Sequence, residues 1–69
     1  MDIFSTQNMF QTFLANRRRT LKRIEEQLGF AAIEGDQAEV AHLEAHRQDT
    51  LQEIAELEKQ QSDHLKEVL

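Results

Sequence analysis

Apolar residues recur along both halves of the chain at alternating steps of three and four residues. This spacing puts about one apolar residue per turn on a single helix face, and it predicts two amphipathic α-helices with short heptad segments. In the first half the apolar stripe consists of Phe10, Leu14, Leu21, Ile24, Leu28 and Ala31, with Phe13 at its edge and Arg17 in one slot. In the second half it consists of Val40, Leu43, Leu51, Ile54, Leu57, Leu65 and Val68, interrupted by Arg47 and Gln61.

The segment between the two stripes, AAIEGDQAEV at residues 31–40, has the signals of a tight turn. Gly35 suits the left-handed conformation that ends many helices, because it has no Cβ. Asp36 suits the N-cap of a second helix, and Glu39, three residues later, completes a variant of the capping box. The pattern predicts helix 1 over about residues 6–34, a turn at 35–36 and helix 2 over about 37–67. So short a connection makes an antiparallel hairpin, and we expect it to form a single domain over residues 1–69.

Two residues bear on the extent of helix 1. Ser5 suits the N-cap at its start, because a serine side chain accepts a hydrogen bond from an exposed backbone N–H. Gly29 costs about 1 kcal/mol relative to alanine inside a helix, so it either bends helix 1, permits close approach of a neighbouring backbone or ends the helix early. We expect one continuous helix, about 45 Å long at 1.5 Å per residue.

The composition favours an all-α protein that needs a partner to complete its core. The chain has 69 residues, two glycines, no proline and no cysteine. Chains of this size bury only about 60% of the surface that the unfolded form exposes, so most need a staple, a metal or a partner. Disulfides are excluded by the cysteine count. We therefore expect the hairpin to homodimerise into a four-helix bundle, with the two apolar stripes as its core.

Charge is distributed unevenly between the two halves. Residues 1–35 carry five basic and four acidic groups, whereas residues 36–69 carry three basic and nine acidic groups. All five basic residues of the first half lie in one short stretch, which we call the basic cluster: Arg17, Arg18, Arg19, Lys22 and Arg23.

Two interpretations of the basic cluster are open. Its cations either bind phosphates of a nucleic acid or face protein groups, including helix 2 anions such as Glu44, Asp49, Glu53 and Glu56. The net charge of −5 favours the protein-facing interpretation, because nucleic-acid binders of this size are usually basic overall.

One segment has metal-ligand spacing, EVAHLEAH at residues 39–46. Glu39, His42 and His46 share a helix face, but a zinc-protease helix needs glutamate directly after the first histidine, where Leu43 stands. A di-iron site needs a second Glu-x-x-His helix, which helix 1 does not supply. We predict surface histidines, no metal site and no cofactor. Because two helices enclose little concave surface for desolvating a catalytic group, we also predict no enzymatic activity.

Some apolar residues lie off the stripes and suggest a binding function. Phe30 and Ile33 point away from the helix 1 stripe, and Phe4 precedes it. These residues either close the ends of the bundle in the dimer or, with the basic cluster, contact a larger protein that the hairpin modulates, and the second alternative is the leading functional hypothesis. Inhibition, anti-activation or a co-chaperone role would suit this chemistry. The alternative is a nucleic-acid-binding, especially RNA-binding, hairpin dimer that uses the basic cluster, and the third option is a structural coiled-coil subunit.

Location and general resemblance add two expectations. With no secretory signal and no apolar stretch near the roughly 18 residues of a membrane span, the chain is expected to be cytoplasmic. In length and predicted shape it resembles small co-chaperones of type III secretion needle subunits, RNA-binding plasmid regulators and phage-encoded inhibitors of host regulators. That resemblance involves no motif, so no functional residue is carried over from it.

Overall fold

The fold is a helical hairpin. The computed structural model describes residues 3–68, with side chains described from Ser5 to Glu67. Helix α1 spans Ile3–Glu34, helix α2 spans Gln37–Val68, and the two helices pack against each other. The rod that they form measures 50 × 15 × 13 Å. The predicted all-helical hairpin is confirmed.

The start of α1 differs from the sequence-based expectation. The helix begins at Ile3, so Ser5 lies inside its first turn and the predicted N-cap at Ser5 is wrong. Since no glycine or proline precedes Ser5, nothing in the local sequence stops the helix from extending to Ile3. Gly29 lies within α1 and does not interrupt it, which confirms the prediction of one continuous helix.

The turn satisfies the backbone groups at both of the helix ends that it joins. Gly35 adopts a left-handed φ of 73°. Its N–H donates to the carbonyl of Ala32 at 3.2 Å, and the N–H of Asp36 donates to the carbonyl of Ala31 at 3.0 Å. These two bonds form the Schellman motif that closes many helices. Asp36 then caps α2, because its Oδ1 accepts from the N–H of Glu39 at 3.1 Å.

The predicted capping box is therefore only half formed. In a complete box the Glu39 carboxylate would accept from the N–H of Asp36, but that N–H is already bonded to Ala31. One residue, Asp36, thus completes the end of α1 with its backbone and the start of α2 with its side chain.

The two helices meet along a heptad seam, which we define by the residues that lie between them. Leu14, Ile24, Ala31, Leu43 and Ile54 are its buried apolar members, and Phe10, Leu21, Leu28, Val40 and Leu57 are half-buried. The polar members are Gln7, Arg17, Arg47, Thr50, Gln61 and His64. Leu51 and Leu65, which the apolar pattern placed in the stripe, are half-buried at its edge. Thr50 is the most deeply buried of the described residues, at 1% exposure.

Polar contacts across the seam align the two helices. Arg17 pairs with Glu53 at 3.2 Å, and Arg47 pairs with Glu25 at 3.6 Å. Surface pairs of this kind are worth about 0–1 kcal/mol each. Their effect is mainly on alignment, because each joins one helix to the other at a defined register.

The two ends of the hairpin differ in polarity. Near the turn, Ile24, Ala31 and Leu43 form a buried apolar cluster against which Leu28 and Val40 pack. The opposite end, where α1 begins and α2 ends, is the open end of the hairpin. There Gln61 Nε2 donates to Gln7 Oε1 at 3.0 Å, and the His64 ring lies 6.1 Å from that of Phe10. Among the described residues, Gln7 Nε2 and His64 Nε2 are buried there without a hydrogen-bond partner. Because unsatisfied buried polar groups cost free energy, the open end is the weaker end of the seam.

Candidate partner-binding surfaces

The structure places the basic cluster on α1 but brings only one of its members into the seam. Arg17 binds Glu53. Arg18, Arg19, Lys22 and Arg23 are exposed, and among residues 3–68 none of these four makes a salt bridge. The predicted pairing of helix 1 cations with helix 2 anions therefore holds for Arg17 alone. The other four cations remain available to an external anionic group.

The environment of the cluster on α1 strengthens its positive field. From Ile3 to Ile24, α1 contains no carboxylate, and the first acidic side chains of this helix are Glu25 and Glu26, about one turn after Lys22. On the N-terminal side of the basic cluster, α1 has a shallow polar depression of about 290 Å³, lined by Asn8, Gln11, Thr12, Ala15, Asn16 and Arg19. By contrast, α2 carries eight acidic and three basic residues. The hairpin thus has one basic helix and one acidic helix.

Phe30 and Ile33 form an exposed apolar surface near the turn, which we call the tip surface. Phe30 is 67% exposed and Ile33 is 84% exposed. They lie three residues apart on α1, close enough to be neighbours on the helix surface. As the sequence indicated, neither side chain takes part in the seam. Phe4, the third predicted anchor, lies in the first turn of α1, and its side chain is outside the described residues.

The same end of the hairpin also has an apolar depression between the helices. It measures about 310 Å³ and is lined by Ala31, Ala32, Gly35, Gln37, Val40, Ala41 and Glu44. Small side chains and the turn glycine leave it open. It lies at the same end of the hairpin as the tip surface, where the buried apolar cluster of the seam is.

Two apolar side chains near the open end were not predicted as surface residues. Met9 is 42% exposed and Phe13 is 47% exposed. The apolar pattern had put Phe13 at the edge of the core stripe. Their exposure could have been predicted from their positions in the sequence. Met9 directly precedes the seam residue Phe10 and Phe13 directly precedes Leu14, and neighbouring residues point about 100° apart around a helix.

The histidine segment does not assemble a metal site. Glu39, His42 and His46 are exposed on α2, and within the described part of the chain no group of three or more histidine, cysteine, aspartate or glutamate residues is arranged to hold a metal ion. Over residues 3–68, neither helix combines the length and the apolar character needed to cross a membrane.

Compared with protein-family models, with curated proteins and with solved structures, the chain shows no match. The basis for assigning a function is therefore the pair of surfaces on α1, the tip surface and the four unpaired members of the basic cluster.

Proposed function

We propose that this chain is a non-enzymatic, cytoplasmic, homodimeric hairpin that binds a larger protein and modulates it, as an inhibitor, an anti-activator or a co-chaperone. The observation that carries this proposal is the exposure of Phe30 and Ile33, at 67% and 84%. Two large apolar side chains exposed side by side on a helix are typical anchors for a groove on a partner protein.

The basic cluster complements this apolar anchor. Arg18, Arg19, Lys22 and Arg23 are exposed on the same helix as the tip surface. Charges at the rim of an interface mainly accelerate association and orient the partner, whereas apolar anchors at its centre supply most of the affinity. The partner surface that fits is an apolar groove with an acidic border.

The exposed area of the hairpin supports the homodimer. The chain exposes 5326 Å², whereas a compact monomer of its mass exposes about 4,500 Å². The difference of roughly 800 Å² equals what each subunit buries in an interface of standard size. Two hairpins packed together as a four-helix bundle would bring the exposed area per chain to the ordinary value.

Pull-down from the native cell lysate, with and without nuclease and read by quantitative mass spectrometry, tests the proposal. We expect a protein that survives nuclease and is retained by the wild-type chain. Phe30→Ala with Ile33→Ala should lose it, while Ala45→Ser with Gln52→Ala, on the exposed face of α2, should keep it. Because all four positions are exposed in the single hairpin, the stability of the hairpin fold itself should change by no more than about 0.5 kcal/mol per residue in either variant. Equal retention by both double variants would refute the apolar anchor.

The steering role has a separate control. Arg18→Glu with Arg19→Glu should slow association with the captured protein, more so at low salt. Lys59→Glu with Lys66→Glu makes the same change in net charge on α2. If both reversals slow association equally, net charge and not the basic cluster is responsible.

A nucleic-acid-binding function is the second candidate, and the four unpaired cations favour it. Their side chains, with no carboxylate on α1 before Glu25, offer phosphate-binding chemistry over the outer face of the helix. Gel shifts with RNA and DNA at about 50 mM salt, where phosphate-driven affinity is strongest, should show binding if this function is real.

The third alternative, a structural coiled-coil subunit, predicts assemblies well beyond a dimer in light scattering.

A further inference from the structure

A second heptad stripe runs along α1 beside the seam, and we call it the lateral stripe. Each of its members directly precedes a seam residue, so it follows the same alternating steps of four and three. It contains three of the four large apolar side chains that are exposed among the described residues, Met9, Phe13 and Phe30. The full stripe is Met9, Phe13, Asn16, Thr20, Arg23, Gln27 and Phe30.

The lateral stripe is apolar at both ends and polar in the middle, which makes it self-complementary. When two α1 helices lie antiparallel, related by a two-fold axis that passes between their Thr20 residues, Phe30 of one copy lies opposite Met9 of the other. In the same arrangement Gln27 lies opposite Phe13, and Arg23 lies opposite Asn16. Phe30 lies about 32 Å from Met9 along the helix, and an antiparallel second copy is long enough to bring each Phe30 to the Met9 of the other copy. We propose that a second copy of the chain packs its α1 antiparallel against this stripe, with the two-fold axis at Thr20.

Thr20 has the properties that such an axis requires. It is half-buried, and its hydroxyl donates to the Asn16 carbonyl of its own helix at 3.1 Å. The hydroxyl therefore stays hydrogen-bonded when two copies of Thr20 meet, and no buried donor is left without an acceptor.

The contacts of Arg23 and the helix dipoles favour the antiparallel direction over the parallel one. A parallel pair would set Arg23 against its own copy, whereas the antiparallel pair sets it against the Asn16 side-chain amide, which can accept from it. Antiparallel helices also bring opposite ends of their macrodipoles together. The acidic α2 helices lie to the side, because the stripe is about 100° around α1 from the seam.

The area available fits a second copy as the occupant. The excess of roughly 800 Å² over a compact monomer is the area that one subunit contributes to a standard interface. Packing along a 32-residue helix can cover an area of that order. The members of the basic cluster of the two copies approach each other in this arrangement, so the dimer should tighten as salt rises and screens their repulsion.

If the chain binds a larger protein as proposed above, this arrangement also indicates how the protein-binding surface is built. At each end of the dimer, Met9 and Phe13 of one copy would lie beside Phe30 and Ile33 of the other. The tip surface of a single chain has two large apolar side chains, whereas the combined surface has four. The protein-binding surface would then be built from both copies and be incomplete in a monomer.

Single-cysteine variants of this cysteine-free chain test the arrangement by oxidation and non-reducing electrophoresis. Cysteines join only when their Cα atoms come within about 7 Å. We expect Thr20→Cys, on the axis, to form a disulfide-linked dimer. Gln27→Cys should not, because its two copies would be about 21 Å apart along the helices. Thr12→Cys, exposed on the outer face, is the control and should not link either. Self-linking of Gln27→Cys, or equal linking of Thr12→Cys and Thr20→Cys, would overturn the proposal, as would no linking of Thr20→Cys.

Sedimentation equilibrium supplies a second, independent measurement. Phe13→Ser should weaken the dimer about tenfold or more, and Gln52→Ala, on the exposed face of α2, should leave it within about twofold. Raising salt from about 50 to about 500 mM should tighten the wild-type dimer. Weakening by salt would indicate that basic α1 pairs with acidic α2 of the second copy and would overturn the lateral stripe as the interface. None of these measurements uses the protein partner, so failure here is distinct from failure of the pull-down.

Discussion

At the scale of single residues, the two glycines of the chain have opposite effects on stability. Gly35 sits at φ 73°, where any side chain is strained, and it allows α1 to end in a Schellman motif. Gly29 lies inside α1, five residues before its end, in ordinary helical geometry. A Cβ placed on either glycine would meet no atom within 4 Å, so crowding is not the cause of the difference. Backbone conformation alone decides it.

Alanine at each glycine should therefore shift stability in opposite directions. Gly35→Ala should lower the free energy of unfolding by about 1–2 kcal/mol, the cost of a left-handed alanine. Gly29→Ala should raise it by up to about 1 kcal/mol, because alanine loses less backbone entropy in a helix. Urea denaturation followed by far-UV circular dichroism, at one protein concentration, measures both. Two shifts of the same sign would show that the turn does not hold Gly35 in the left-handed region.

At the scale of the helices, the seam combines apolar and polar layers. Thr50 is its most buried side chain, and its hydroxyl donates to the His46 carbonyl of its own helix at 2.9 Å. That carbonyl also lies in the α-helical hydrogen-bond ladder, so the hydroxyl is not its only donor. The hydrogen bond of the Thr50 hydroxyl therefore lies within α2 and does not join α2 to α1.

Thr50→Val should stabilise the hairpin by about 1 kcal/mol, because a methyl replaces a buried hydroxyl that no other group needs. Thr12 is the matched control. Its hydroxyl makes the same type of bond, to the Asn8 carbonyl at 2.8 Å, but the residue is exposed. Thr12→Val should change stability by less than about 0.5 kcal/mol. Thermal or urea unfolding of the two variants side by side decides the matter, and a destabilised Thr50→Val would show that its hydroxyl has a further role.

At the scale of the whole molecule, the hairpin is a thin rod with few buried side chains. Among the side chains from Ser5 to Glu67, the buried apolar core consists of Leu14, Ile24, Ala31, Leu43 and Ile54. A domain of this size gains little stability from such a core, so association is expected to supply part of it. The proposed dimer along α1 would do so.

Thermal stability should consequently depend on protein concentration. For a protein that unfolds as it dissociates, a tenfold dilution removes up to about 1.4 kcal/mol per dimer, which corresponds to several degrees in Tm for a chain this short. Circular dichroism melts at about 5 and about 500 μM would show the shift. A Tm that is the same at both concentrations would mean that the monomeric hairpin is stable alone, against the homodimer.

Much of the fold could be predicted because its signals are local. The turn depends on Gly35 and Asp36 and on backbone groups within a few residues of them, so the sequence there was sufficient apart from the unformed half of the capping box. The exposed positions of Phe30 and Ile33 followed from helical period alone. The N-cap at Ser5 was wrong because a favourable capping residue does not stop a helix whose preceding residues also accept helical geometry.

What the sequence by itself determined is therefore two amphipathic helices, the turn that joins them and the side of α1 on which the tip surface lies. Only the packing of the helices decided that Thr50 is buried more deeply than Leu51, because hydrophobicity favours leucine whereas the antiparallel register puts threonine between the helices. Packing also decided that Arg17, and none of the four cations that follow it in the cluster, reaches Glu53. Helical period orders residues around one helix, but the pairing of residues far apart in the chain depends on the angle and register at which the two helices meet.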